Sequence, residues 1–72
     1  MNWEGLIKEL VTKRNATYEM ISEYVGVTPM SISRYAHGGG PHWEHGERLI
    51  KYLAQLRGRG ATYNSVKKDF YE

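Results

Sequence analysis

The feature that most constrains the fold of this chain is a predicted helix end and a predicted helix start with one residue between them. Gly26 suits the left-handed position that closes many helices. Thr28 can cap a new helix, and Pro29 suits its first position because proline has no N–H to leave unpaired. Since only Val27 separates them, the two helices are predicted to cross steeply. Ser22, four residues before the glycine, is small enough for a close crossing.

Apolar residues at helical spacing predict the other helices. The predicted segments are a helix after Asn2, a helix from Thr17 to Val25, a helix at about Thr28–His37, a helix from His42 or Trp43 to Arg57, and a short amphipathic piece after Thr62. Their main core-facing residues are predicted to be Trp3, Leu6, Ile7, Leu10, Val11, Ile21, Val25, Ile32, Tyr35, Leu49, Ile50, Leu53, Leu56 and Val66. The glycines before Pro41 are interpreted as a flexible connection. The predicted fold class is all-α, a compact domain of four or five helices.

The chain has 72 residues, which is enough for one small core. The absence of cysteine excludes disulfides and zinc sites built on thiolates. The N-terminus lacks the pattern of a signal peptide, and no apolar run reaches the length of about 18–20 residues that spans a bilayer. We therefore expect a cytoplasmic protein that does not associate with membranes. The formal net charge of +2 gives only modest support to an anionic partner.

Two helices joined by so short a turn are typical of a helix-turn-helix, whose second helix enters the major groove of DNA. The chain resembles the phage Cro and lambda-repressor-like family, also called XRE-type, over about Leu6 to Leu56. The resemblance is carried by Gly26-Val27-Thr28, by Ser31-Ile32-Ser33-Arg34-Tyr35, and by a glycine, a proline and a last helix with Leu49, Ile50 and Leu53. It implies a lambda-repressor-like domain at 1–57. Residues 58–72 are then a basic joint and a tail, either a fifth helix folded onto the core or a dimerisation element.

The resemblance also implies which residues contact DNA. The expected base contacts, at the start and outward face of the third helix, are Thr28, Pro29, Met30, Ser33, Arg34 and His37. Arg34 is the strongest candidate because its guanidinium can pair with guanine O6 and N7, and Met30 can contact a thymine methyl. The expected phosphate contacts are Lys13, Arg14, Asn15, Thr17, Tyr18, Gly39, Gly40 and His42. They include a helix N-terminus at Thr17 and Tyr18, where free N–H groups attract anions.

These expectations favour a sequence-specific transcription regulator, a small phage or prophage repressor of the Cro type that occupies an operator on double-stranded DNA. We expect a homodimer, at least on DNA, in the cytoplasm of a bacterial cell or phage-infected host. The first alternative is an antitoxin-type interaction module that represses its own operon, with the tail as its partner-binding segment. The second is an accessory DNA-binding protein of a recombination or packaging apparatus.

Enzymatic and metal-binding functions are not expected from this sequence. The three consecutive glycines lack the lysine and hydroxyl residue that end a phosphate-binding loop. His42 and His45 are three residues apart, but the surrounding residues do not form a recognised metal motif. We therefore expect no catalytic residues, no cofactor, no metal and no small-molecule ligand.

Overall fold

The computed structural model describes residues 1–71, which form five α-helices and no β-strand. The helices are α1 (Trp3–Thr12), α2 (Tyr18–Val25), α3 (Pro29–Ala36), α4 (Trp43–Arg57) and α5 (Tyr63–Phe70). The predicted all-α class is confirmed, and the predicted segments coincide closely with the helices.

Four of the five helices begin with a side-chain cap at a residue where the sequence predicts a helix start. Asn2 Oδ1 accepts a hydrogen bond from Gly5 N at 3.0 Å, and Thr17 Oγ accepts one from Met20 N at 3.1 Å. Thr28 caps α3 in the same way, and Thr62 forms a reciprocal capping box at the start of α5. Such caps each contribute about 1 kcal/mol, because they satisfy N–H groups that have no partner inside the helix.

The turn between α2 and α3 is held by backbone geometry and by a contact from α4. Gly26 has a φ of 90°, a left-handed conformation that glycine adopts without steric cost. Its N–H donates to the Ser22 carbonyl at 2.8 Å, and the Val27 N–H donates to the same oxygen at 3.1 Å. Arg48 Nη1 of α4 donates to the Val25 carbonyl at 2.9 Å. The end of α2 is therefore tied to α4, which fixes the position from which α3 departs.

All five helices contribute to one apolar core, because α1 and α2 both pack on α3, while α4 packs on α2 and α5. The largest fully buried side chains are Leu6, Ile7, Leu10, Ile21, Val25, Ile32, Leu49, Leu53 and Val66. The prediction that Val11 faces the core is wrong: it is 36% exposed, because it lies on the rim of a surface groove beside α1. Leu56 is only half-buried. Tyr52, which the apolar spacing did not indicate, is buried and stacks on Tyr24 at 4.4 Å between ring centroids.

The C-terminal tail folds back onto the core, which is one of the two arrangements that the sequence left open. Val66 of α5 is fully buried, and the Asn2 N–H donates to the Phe70 carbonyl at 2.7 Å. α5 thereby joins α4 and the start of α1. The apolar face of the tail is thus largely covered by the chain itself.

An ion-pair network joins α1, α4 and α5. Arg57 makes two hydrogen bonds of 2.7 Å to the Glu9 carboxylate and a third of 2.7 Å to Asp69. Glu9 also accepts from Arg14, at 3.2 Å. The hydrogen bonds from Arg57 are the main cause that lowers the pKa of Glu9 below its ordinary value, against the opposing effect of burial. Three acceptor atoms on α1 and α5 thus hold the Arg57 guanidinium at the end of α4.

Candidate nucleic-acid interface

α3 is buried on one side and open to solvent on the other. Ile32 and Tyr35 anchor its inner side in the core. On the outer side Pro29 and Arg34 are exposed, and Met30 is 71% exposed. An exposed methionine at the start of a helix leaves apolar surface available to a partner, since the core already has its anchors. The helix therefore presents a mixed apolar and basic surface.

The Arg34 side chain packs against the loop that follows α3, and its guanidinium is free to contact a ligand. Its guanidinium makes no ion pair with any of residues 1–71. Its backbone carbonyl accepts a hydrogen bond from Gly39 N at 2.9 Å. A Cβ atom at Gly39 would lie 3.0 Å from that carbonyl oxygen and 3.3 Å from Arg34 Cγ. The absence of a side chain at Gly39 thus lets the loop pack along the aliphatic part of the arginine.

The end of α3, where the three glycines suggested a flexible connection, has the hydrogen bonds of a helix terminus. Gly38 has a φ of 101°, and its N–H donates to the Tyr35 carbonyl at 3.2 Å. Together with the bond from Gly39 to Arg34, this is the Schellman pattern of helix ends. Gly40 has open space around its Cα. Gly38 and Gly39 therefore have defined roles in the helix end, and Gly40 is exposed in the loop that follows.

His37 points its ring back to α3. Its Nδ1 lies 2.7 Å from the Ser33 carbonyl oxygen, which can only accept, so this nitrogen carries the proton. The Nε2 atom on the opposite side of the ring makes no hydrogen bond with residues 1–71 and can contact a ligand. Ser33 itself is half-buried, whereas Thr28 is exposed but already caps α3 through its hydroxyl.

The predicted phosphate-contacting residues differ in how free their side chains are. Lys13, Asn15 and Thr17 are exposed around the start of α2. Arg14 forms an ion pair with Glu9, so its charge is partly neutralised within the chain. Asn15 has a φ of 58°, a left-handed conformation that asparagine tolerates better than most residues. Tyr18 is half-buried in the wall of the groove beside α1.

His42 precedes α4, the helix whose start carries no side-chain cap within residues 1–71. Its exposed ring lies 6.1 Å, between centroids, from the ring of His45 in an edge-on arrangement. The Nδ1 atom of His45 is buried and has no hydrogen-bond partner among the described residues. Within residues 1–71, no three His, Cys, Asp or Glu side chains lie close enough together to hold a metal ion. His42 and the first N–H groups of α4 thus remain open to an anion.

The structure brings some of the predicted contact residues together and adds others. Gly39 packs against Arg34. Tyr18 and His37 line the same surface groove, which has a volume of about 400 Å³. The residues of α1 in the same groove are Glu4, Ile7, Lys8, Val11 and Thr12. Sequence reasoning treated α1 only as a core helix and did not consider its polar residues. The spacing of Glu4, Lys8 and Thr12, four residues apart, indicates that they share one helix face.

The chain matches none of the family models, curated proteins or solved structures with which it was compared. No helix within residues 1–71 has both the length and the apolar character that crossing a membrane requires.

Proposed function

We propose that this protein is a sequence-specific DNA-binding regulator in which α2 and α3 form a helix-turn-helix and α3 enters the major groove. The observation that carries this proposal is the outward face of α3, where Met30 and Arg34 are exposed on a helix whose other side is anchored in the core. A rigid helix with one free basic side chain and one free apolar side chain suits the edges of base pairs.

Each of these side chains has a chemical role in the proposal. The fork of Arg34 donates two hydrogen bonds to O6 and N7 of a guanine. Met30 contacts the methyl group of a thymine, for which an apolar side chain is the appropriate partner. Lys13, Asn15 and the N–H groups at the start of α2 contact phosphates and set the register of α3 on the duplex.

The biological role that fits this chemistry is a repressor of the phage Cro type, acting as a homodimer on an operator. Two copies related by a two-fold axis would place their α3 helices about 34–36 Å apart on successive turns of DNA. The antitoxin alternative relied on the tail as a partner-binding segment. α5 packs on α4 and α1 within the chain, so no observation favours that alternative.

The proposal is tested by selecting bound duplexes from a random pool and measuring the affinity of Arg34→Ala for the selected site. Loss of a bidentate guanine contact costs about 1–3 kcal/mol and removes the preference for guanine at one position of each half-site. Arg59→Ala is the matched control, because Arg59 is exposed in the loop between α4 and α5 and its removal changes the net charge equally.

A two-fold symmetric consensus that Arg34→Ala relaxes at one position supports the proposal and the dimer together. An enriched sequence without symmetry supports DNA recognition by a monomer. If no sequence is enriched, or if the Arg34 and Arg59 variants lose affinity equally for all duplexes, sequence-specific recognition by α3 is wrong.

A further inference from the structure

A groove on the surface joins α1 to the proposed DNA-contacting helices. Its walls come from α1, from Tyr18 at the start of α2, and from Ala36 and His37 at the end of α3, and its volume is about 400 Å³. Two of these residues were expected to contact DNA: Tyr18 at a phosphate and His37 at a base. The groove is therefore continuous with the proposed DNA-contacting surface.

The polar residues of the groove follow one another regularly along α1. Glu4, Lys8 and Thr12 succeed one another at intervals of one helical turn, about 6 Å each. Glu4 and Lys8 are both exposed, and neither forms an ion pair with any of residues 1–71. The Thr12 hydroxyl donates to the Lys8 carbonyl at 2.7 Å, so its oxygen can only accept further bonds. Lys8 is thus the free cation of the groove, one turn away from a free carboxylate.

The floor of the groove is apolar. Ile7 is buried beneath it, Val11 is exposed at its rim, and Ala36 and the Tyr18 ring form its sides. A ligand that combines apolar surface with a negative charge suits the part of the groove next to Lys8. A sugar-phosphate segment has both properties, since its deoxyribose is largely apolar and its phosphate is anionic.

We propose that this groove receives one sugar-phosphate segment of the bound duplex, that Lys8 neutralises its phosphate, and that Glu4 limits the affinity by repelling the backbone. The inference rests on the proposed function, because it requires that α3 binds DNA. It goes further by assigning a DNA-contacting role to α1 and by giving opposite effects to two residues on the same helix face.

The test is fluorescence anisotropy of labelled duplexes at several salt concentrations with the full-length protein. Lys8→Gln is expected to lower the affinity roughly fivefold to tenfold for every duplex and to reduce the slope of log K against log salt by about 0.9, as the loss of one phosphate contact does. Glu4→Gln is expected to tighten binding about twofold to threefold, since the repulsion between its carboxylate and the phosphate is removed. Neither variant changes which sequence is preferred.

Lys68→Gln is the matched control. Lys68 is exposed on α5 and does not line the groove, and its replacement lowers the net charge by the same amount. If Lys8→Gln and Lys68→Gln weaken binding equally, the effect is one of overall charge and the inference is wrong. The same conclusion follows if Glu4→Gln leaves the affinity unchanged or weakens it. Circular dichroism melts confirm that each variant is folded.

Amide chemical shifts provide a second readout that does not depend on substitution. Addition of the duplex should shift the amide resonances of Val11 and Thr12 in the groove, and leave those of Lys51 and Gln55 on α4 unchanged. A groove that binds a second copy of the chain instead would show these shifts on raising the protein concentration without DNA, and would overturn the inference. If the unmodified protein does not bind DNA at all, the proposed function itself is wrong. If the unmodified protein binds DNA and Lys8→Gln binds it with the same affinity, only the role of the groove is wrong.

Discussion

Gly46 is the fourth residue of α4, where glycine is an unfavourable choice for a helix. It costs about 1 kcal/mol relative to alanine in such a position. The reason for it is the ring of Trp3, which lies so close that a Cβ atom at Gly46 would be 2.7 Å from Trp3 Cη2. The glycine is thus required by the contact between α1 and α4 and not by any special backbone conformation.

Gly46→Ala is therefore expected to destabilise the protein despite the better helix propensity of alanine. The added methyl group must displace the Trp3 ring, and overpacking of this kind costs about 1–3 kcal/mol. Urea denaturation followed by circular dichroism measures the change. Gly40→Ala is the control, because Gly40 has open space around it and should change the free energy of unfolding by less than about 0.5 kcal/mol. A Gly46→Ala variant as stable as the unmodified protein would show that Trp3 does not pack firmly on α4.

At the scale of the helices, the network around Glu9 connects three elements that the sequence keeps far apart. Glu9 of α1 accepts two hydrogen bonds from Arg57 at the end of α4, and Arg57 also reaches Asp69 of α5. The side chains of Glu9 and Arg57 are 15% and 19% exposed, so solvent screens this pair only in part. We expect the network to hold α5 on the core together with Val66.

Glu9→Gln is expected to lower the free energy of unfolding by about 1–3 kcal/mol at pH 7, since hydrogen bonds to a charged group are lost. The lowered pKa of Glu9 in the folded state means that its stabilising effect is present above the ordinary glutamate pKa of about 4.3 and is lost as the pH falls through the lowered value. The difference between the two proteins should therefore shrink on acidification below about pH 4.3.

Thermal or urea unfolding at a series of pH values measures this difference. Glu23→Gln on α2 is the control, because Glu23 is exposed and forms no ion pair with residues 1–71. A difference between Glu9→Gln and the unmodified protein that stays constant down to pH 2 would contradict an ionic origin.

The helices were predictable from the sequence because their signals are local. Asn2, Thr17, Thr28 and Thr62 cap helices by hydrogen bonds to residues three positions away, and Gly26 ends α2 through its own φ. The Arg57 network was not predictable in this way, since Glu9 and Arg57 are brought together only by the packing of α1 on α4. The same holds for Lys8, whose proposed role depends on where α3 ends relative to α1. Contacts between distant segments follow from tertiary packing, which apolar spacing does not specify.

At the scale of the whole molecule, a chain of this size has no part that can form a core alone. The buried residues of all five helices belong to one cluster, and α5 contributes Val66 to it. A domain of about 60–70 residues buries a smaller fraction of its surface than a larger one, so each buried side chain is a larger share of its stability. We therefore expect α5 to unfold together with α1–α4 and not before them.

Val66→Ala tests this expectation, with a predicted loss of about 2 kcal/mol from the removed methyl groups and the cavity they leave. In a Trp43→Phe background Trp3 is the sole tryptophan, and it lies where α1, α4 and α5 meet. Trp3 fluorescence and far-UV circular dichroism should then give the same, lower midpoint of urea unfolding, as cooperative two-state unfolding requires. Asn64→Ala, at an exposed position of α5, should leave the midpoint nearly unchanged. A Trp3 transition at a lower urea concentration than the circular dichroism transition in Val66→Ala would mean that α5 detaches independently. The tail would then be available to a second copy of the chain, and the dimer contact would have to be sought there.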